Sequence, residues 1–149
     1  MESDDGFTFK PVIFFPQKGG DETAFQFEDD GTVIAVMRTI GPPPHNAVFW
    51  RAKPPYTDWT HTMLHRFIGG PMLAKWGDRY LVGGRHFDGD LAGGTEHVRT
   101  SLGWLEGLGQ GETPHLVEGI SLPSGGDTSY TNFVALSDTE GLLAYYSSH

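Results

Sequence analysis

Short apolar or alternating runs, each bounded by turn-forming residues, dominate the chain and admit strands far more readily than helices. They are Phe7–Phe15, Thr23–Phe27, Thr32–Thr39, Ala47–Ala52, Thr62–Ile68, Pro71–Trp76, Arg79–His86, His97–Leu105, His115–Leu122, Ser129–Leu136 and Gly141–Ser147. Asp29-Asp30-Gly31, Gly77-Asp78 and Ser137-Asp138-Thr139-Glu140-Gly141 separate neighbouring runs at hairpin spacing, and Gly41-Pro-Pro-Pro44 and Pro54-Pro55 interrupt any helical periodicity. The fold expected is all-β, with Ser101–Leu108 the best helical stretch and its glycines arguing against it.

A weak repeat organises these strands. Glu28-Asp-Asp-Gly-Thr-Val-Ile-Ala-Val-Met-Arg38 parallels Lys75-Trp-Gly-Asp-Arg-Tyr-Leu-Val-Gly-Gly-Arg85, each a strand, a turn and a strand ending in Arg, and Ala135–Tyr146 keeps the hairpin but ends in Tyr-Tyr. The two arginines are 85 − 38 = 47 residues apart. A period of roughly 40 to 50 residues with four short strands per unit predicts β-propeller blades. The expected division is a blade end over 1–20, blades over 21–68 and 69–122, and a half blade over 123–149. A ring needs about four blades or more to close, so this is expected to be a propeller segment, or a protomer of a homo-oligomer whose copies complete one another across an exposed strand edge.

Charge and composition narrow the partners. Ten Lys and Arg against nineteen Asp and Glu give −9 at pH 7, which disfavours a phosphate backbone, so no nucleic-acid partner is expected. The chain has no Cys, and with it no disulfide framework or thiolate chemistry. The expectation is a soluble chain without a signal peptide: Met1-Glu-Ser-Asp-Asp lacks the basic then apolar pattern of one, and no apolar run reaches the ~20 residues of a membrane helix.

Ser3-Asp-Asp-Gly-Phe-Thr-Phe9 is a polar turn whose Ser and Asp can bond backbone amides and whose aromatics can plug between strands. It resembles the Asp-box, or BNR repeat, of the six-bladed sialidases. The resemblance extends through Asp21–Thr39, Ile68-Gly-Gly-Pro71, Asp78–Arg85, Leu122–Tyr130 and Tyr145-Tyr-Ser-Ser-His149. It implies a sialidase-like propeller, a glycoside hydrolase or carbohydrate-binding module with a terminal anionic sugar as ligand. In that family a Tyr is the nucleophile, a Glu polarises it, an Asp is the acid/base and three Arg clamp the sugar's carboxylate. The resemblance places Glu22 as the polarising Glu, Tyr130 as the nucleophile, and Arg38 and Arg85 as two clamp arginines; Asp127 is read with the arginines as a substrate-binding residue. The acid/base Asp and the first clamp Arg belong to blades that precede Met1, so turnover by this chain alone is expected to be poor or absent.

The residue types suit that chemistry. A phenol of pKa near 10 attacks at neutral pH only if a carboxylate takes its proton, and the planar guanidinium meets a carboxylate with two parallel hydrogen bonds. Rival readings are a non-catalytic carbohydrate-binding or scaffolding propeller, and a glycosidase working through Glu22 and Asp127 as paired carboxylates. Arg38 and Arg85 could equally be blade-to-blade ion pairs, and Tyr130 an interface aromatic.

No cofactor and no metal is expected. His61 and His65 have the spacing of a zinc helix, but Thr62 stands where its Glu belongs. Asp88-Gly-Asp90 with Ala92-Gly-Gly opens like a calcium loop and lacks the terminal Glu. Trp50, Trp59, Trp76 and Trp104 are read first as wedges between sheets, and only second as sugar-stacking platforms.

Overall fold

The computed structural model describes residues 1–12, 14–15, 18–40, 45–87 and 98–148. Ten strands and no helix occur among them. The first sheet is an antiparallel meander of β1 (Gly20–Phe27), β2 (Val33–Thr39), β3 (Val48–Ala52) and β4 (Trp59–Met63). The second repeats that order with β5 (Gly69–Trp76), β6 (Arg79–Phe87), β7 (Val98–Glu106) and β8 (His115–Ser121). A two-stranded sheet of β9 (Thr128–Ala135) and β10 (Gly141–Ser147) follows.

The turns are those the sequence asks for. Between β1 and β2 the Asp30 carboxylate accepts the Thr32 amide at 2.8 Å while Gly31 takes a left-handed φ of 79°. Between β5 and β6 two residues suffice, because Gly77 supplies φ 62° at no steric cost. Between β9 and β10 the Ser137 hydroxyl accepts the Thr139 and Glu140 amides at 3.2 and 3.0 Å.

Nearly every residue of β2 is buried, so this strand is covered on both faces. One face sends Ile34 and Val36, with Phe49 of β3, into a core shared with Leu73, Tyr80, Val82 and Leu105 of the second sheet. The other sends Ala35 and Met37 into a smaller cluster with Val48 and Trp50, closed over by Phe15 and Trp59. Trp50 is buried and Trp59 half-buried, but both pack within the first sheet and against Phe15 rather than as wedges between sheets. Strands β1, β5 and β9, the first of each sheet, lie side by side in space. Packing at that seam is tight: a Cβ on Gly83 of β6 would fall 2.5 Å from Thr131 Oγ1 of β9.

Three expectations change. Phe7–Phe15 contributes no strand among its described residues, only an isolated bridge between Glu2 and Lys10, because no neighbouring strand offers it a ladder. The strand expected at Thr62–Ile68 forms instead at Trp59–Met63, where it pairs with β3, and it stops before His65, which takes φ 52°. Ser101–Leu108, whose glycines argue for a loop over a helix, is instead strand through Glu106, part of β7 and paired on both sides. The Asp88–Asp90 loop and Gly41–Pro44 lie outside the described residues.

Candidate functional site

Each first-to-second hairpin carries a register shift at the same end. Gly20 pairs with Thr39 and Thr23 with Met37, so Asp21 and Glu22 face the single residue Arg38. Gly69 pairs with Arg85 and Met72 with Gly83, so Gly70 and Pro71 face Gly84. Ser129 pairs with Tyr146 and Asn132 with Ala144, so Tyr130 and Thr131 face Tyr145. Two residues opposite one define a β-bulge, which bends the strand and re-aims its side chains. Because β1, β5 and β9 are neighbours, the three bulges meet.

At that meeting point the Tyr130 hydroxyl donates to Glu22 Oε1 at 2.6 Å. Glu22 Oε2 accepts the Gly70 amide at 2.7 Å and pairs with Arg38 Nη1 at 2.8 Å. Arg38 also bonds Asp21 in bidentate fashion, through Nε at 2.8 Å and through Nη2. The backbone holds this arrangement. Tyr130 sits at φ 48°, uncommon for a residue with a Cβ, and Gly70 on the equivalent rung sits at φ 56°. A Cβ on Gly70 would lie 2.4 Å from Ser129 Oγ and 3.1 Å from Tyr130 Cδ1, and fully buried Ser129 donates to the Gly69 carbonyl at 2.6 Å.

A second group adjoins the first. Arg85 Nη1 contacts Asp127 Oδ1 at 3.1 Å, the Asp127 carboxylate raises the Tyr146 hydroxyl above its ordinary value, and the Tyr146 ring stacks on Tyr130 with centroids 6.1 Å apart. Arg85 Nε is buried without a hydrogen-bond partner. All five residues singled out from the sequence thus stand at one rim, with Tyr130 and Asp127 exposed and the arginines half-buried. Asp21, Gly70, Ser129 and Tyr146 were not singled out; the hints were the Asp-Glu pair, the Gly-Gly before Pro71 and the Tyr-Tyr ending the third hairpin.

The arginines, aligned in sequence at a spacing of 47, do not share a rung. Arg38 faces its bulge, whereas Arg85 lies one rung beyond, opposite Gly69, because the β1–β2 loop is longer than the β5–β6 turn. A one-residue slip turns a side chain to the other face. Arg38 accordingly bonds within its own hairpin, and Arg85 reaches across to the turn before β9.

Electrostatics follow the contacts. Accepting the Tyr130 proton, and repelling the phenolate that its loss would leave, Glu22 holds that hydroxyl above its ordinary 10, with Arg38 and Arg85 pulling the other way. The phenol is therefore neutral at pH 7, with an acceptor for its proton already in place. The Arg38 bond holds Asp21 below the usual carboxylate range, and Asp21 in turn raises Arg38.

The Ser3–Thr8 turn is fully formed. Asp5 Oδ1 accepts the Phe7 and Thr8 amides at 2.8 and 2.7 Å, Ser3 Oγ accepts the Gly6 amide at 2.8 Å, and the bond from the Thr8 amide chiefly lowers Asp5 to about 2. Its aromatics do not plug the strands as expected, for Phe7 is 91 % exposed and Phe9 54 %. At the far end of the sheets Trp76 stacks with Trp104 at 5.9 Å and packs on Phe133 at 4.9 Å, with Arg79 over Trp104 at 3.9 Å. No group of three or more metal-ligating side chains occurs among the described residues.

Fold and rim together define a class: an all-β chain of antiparallel sheets whose first strands converge on a hydrogen-bonded tyrosine–carboxylate–arginine cluster. No family model, curated protein or solved structure matches the chain.

Proposed function

We propose that the chain is a segment of a sialidase-like β-propeller whose rim binds a terminal anionic sugar, with Tyr130 as nucleophile and Glu22 as its proton acceptor. The observation that carries the reading is the 2.6 Å bond from the Tyr130 hydroxyl to Glu22, whose other oxygen is already occupied by Arg38 and the Gly70 amide. That arrangement aims Oε1 at the phenol. The repeated sheet order and the adjacency of β1, β5 and β9 support the propeller arrangement.

In the proposed reaction the Tyr130 oxygen bonds to the sugar's anomeric carbon as the bond to the leaving oxygen breaks. The phenolic proton passes to Glu22, and water later displaces the tyrosyl sugar. A neutral phenol approaches a carboxylate-bearing centre without the repulsion a carboxylate nucleophile would meet. Protonating the leaving oxygen needs a general acid that Tyr130, Glu22 and the two arginines do not supply, so binding exceeds turnover unless further blades or a second copy provide one.

The test is hydrolysis of a fluorogenic sialoside together with N-acetylneuraminic acid binding followed by NMR. The reading expects binding at this rim, and any turnover to vanish in Tyr130→Phe. No binding and no turnover would refute it. Turnover that survives Tyr130→Phe and disappears in Glu22→Gln or Asp127→Asn would favour paired carboxylates. Binding with no turnover, even in a completed ring, would favour the non-catalytic carbohydrate-binding module. That second reading draws on the Arg38 and Arg85 carboxylate pairs, which already satisfy part of each guanidinium.

A further inference from the structure

Arg38 and Arg85 differ in how much of each guanidinium is committed to the protein. Arg38 uses three nitrogens: Nε and Nη2 on Asp21, and Nη1 on Glu22. Both partners come from the bulge facing it, and their side chains are only 32 % and 26 % exposed. Arg85 makes one contact to a carboxylate, 3.1 Å to an Asp127 side chain that is 63 % exposed, and its Nε has no partner. A lone, exposed ion pair is weak and readily exchanged, whereas a bidentate pair locked into a further carboxylate is not.

We infer that the two guanidiniums divide the work: Arg38 is a positioning residue that holds Glu22 against Tyr130, and Arg85 alone meets the ligand's carboxylate by exchanging Asp127 for it. The rung slip between the hairpins is the structural origin of this division, since it sends Arg38 into its own bulge and Arg85 across to the turn before β9. Asp127 then acts as an internal stand-in for the ligand's carboxylate. Once displaced, its exposed side chain is solvated by water. The ligand half of the inference rests on the anionic-sugar reading above; the Arg38 half does not.

Two measurements on the intact chain test the halves separately. In the first, arginine side-chain ¹⁵N resonances are followed while acetate, and then N-acetylneuraminic acid, is added. Arg85 signals are expected to shift saturably and those of Arg38 to stay in place. Arg85→Gln should weaken binding at least tenfold, and Asp127→Asn should tighten it about twofold to fivefold. Arg38 signals moving with the same concentration dependence, or Asp127→Asn weakening binding, would overturn the exchange. Binding of neither probe would overturn the ligand half together with the proposed function, and would leave the Arg38 half to the second measurement.

That second measurement is the ionisation of Tyr130 in Arg38→Lys, followed by ¹³C-tyrosine NMR and assigned with Tyr130→Phe. The substitution keeps the charge and removes the fork. If Arg38 positions Glu22, the carboxylate swings away and Tyr130 falls toward its ordinary 10. If Arg38 acts only through its charge, Tyr130 stays where it is, and the positioning role is overturned. Asp21→Asn, which loosens Arg38 and leaves the Glu22 carboxylate itself unaltered, should move Tyr130 in the same downward direction; no movement in either variant counts against the inference.

Discussion

Adding a single methyl group at Gly70 strikes the frame of the rim without removing any of its polar groups. Two costs can be worked out. Alanine at φ 56° carries the left-handed penalty, about 1 kcal/mol. Its Cβ would stand 2.4 Å from Ser129 Oγ, so that hydroxyl must rotate away and give up its bond to the Gly69 carbonyl. Ser129 is fully buried, so the loss costs about 1–3 kcal/mol. Gly70→Ala should therefore destabilise the fold by about 2–4 kcal/mol, a drop on the order of 10 °C in Tm for a chain of 149 residues. Ser129→Ala alone loses only the hydrogen bond, roughly 1–2 kcal/mol. In the double variant the hydrogen bond is lost once and the clash is gone. Its cost should then fall short of the summed single costs by about 1–2 kcal/mol. Urea unfolding at constant m-value reads all three. Additivity within about 0.5 kcal/mol, or a Gly70→Ala cost below about 1 kcal/mol, would refute the close approach of β5 and β9 from which the geometry around Tyr130 and Glu22 is built.

Three further predictions address other parts of the molecule. Ile34, fully buried between the first and second sheets, should cost about 3–4 kcal/mol when cut to alanine, measured by urea midpoint. Tyr80 donates to Glu28, and burial, followed by that carboxylate, raises its hydroxyl well above 10. The resulting stability is fully present below pH 10 and is lost as pH rises through the folded value, so wild type should weaken above pH 10 with a slope that Tyr80→Phe removes. Asp5 behaves in the opposite sense: with its folded value near 2, its contribution is present above pH 3.8 and disappears as pH falls through about 2. The Phe7 and Thr8 amide resonances should report that loss on acidification, and in Asp5→Asn at neutral pH.

Strand existence was legible because alternation and turn chemistry are local. Asp30-Gly31 and Gly77-Asp78 close their hairpins for reasons visible in a few residues. The segment at Phe7–Phe15 looked identical by pattern and failed because a strand needs a partner, which no local pattern reveals. Tyr130, Glu22, Arg38, Arg85 and Asp127 could be singled out through a family resemblance, and they do stand together. Their pairings could not be read that way. A sequence alignment treats Arg38 and Arg85 as equivalent, whereas loop length and bulges decide rungs, and these separate the two by one. Asp21 and Ser129 were missed because an aspartate before a glutamate and a serine before a tyrosine carry no signal until the third dimension brings them to Arg38 and Gly69.

The bulges have a bearing on how such a rim changes over generations. Each hairpin spends one surplus residue outside the regular ladder, and the side chains displaced there, Asp21, Glu22 and Tyr130, are not among the residues of either hydrophobic cluster. Substitution at those places can therefore alter chemistry while the cores beneath keep their volume, so new specificities can be sampled without each trial risking collapse of the scaffold. Glycine 70 is the exception. It serves both frame and rim, and a lineage that explored new ligands on this surface would be expected to vary the residues around it and leave that one alone.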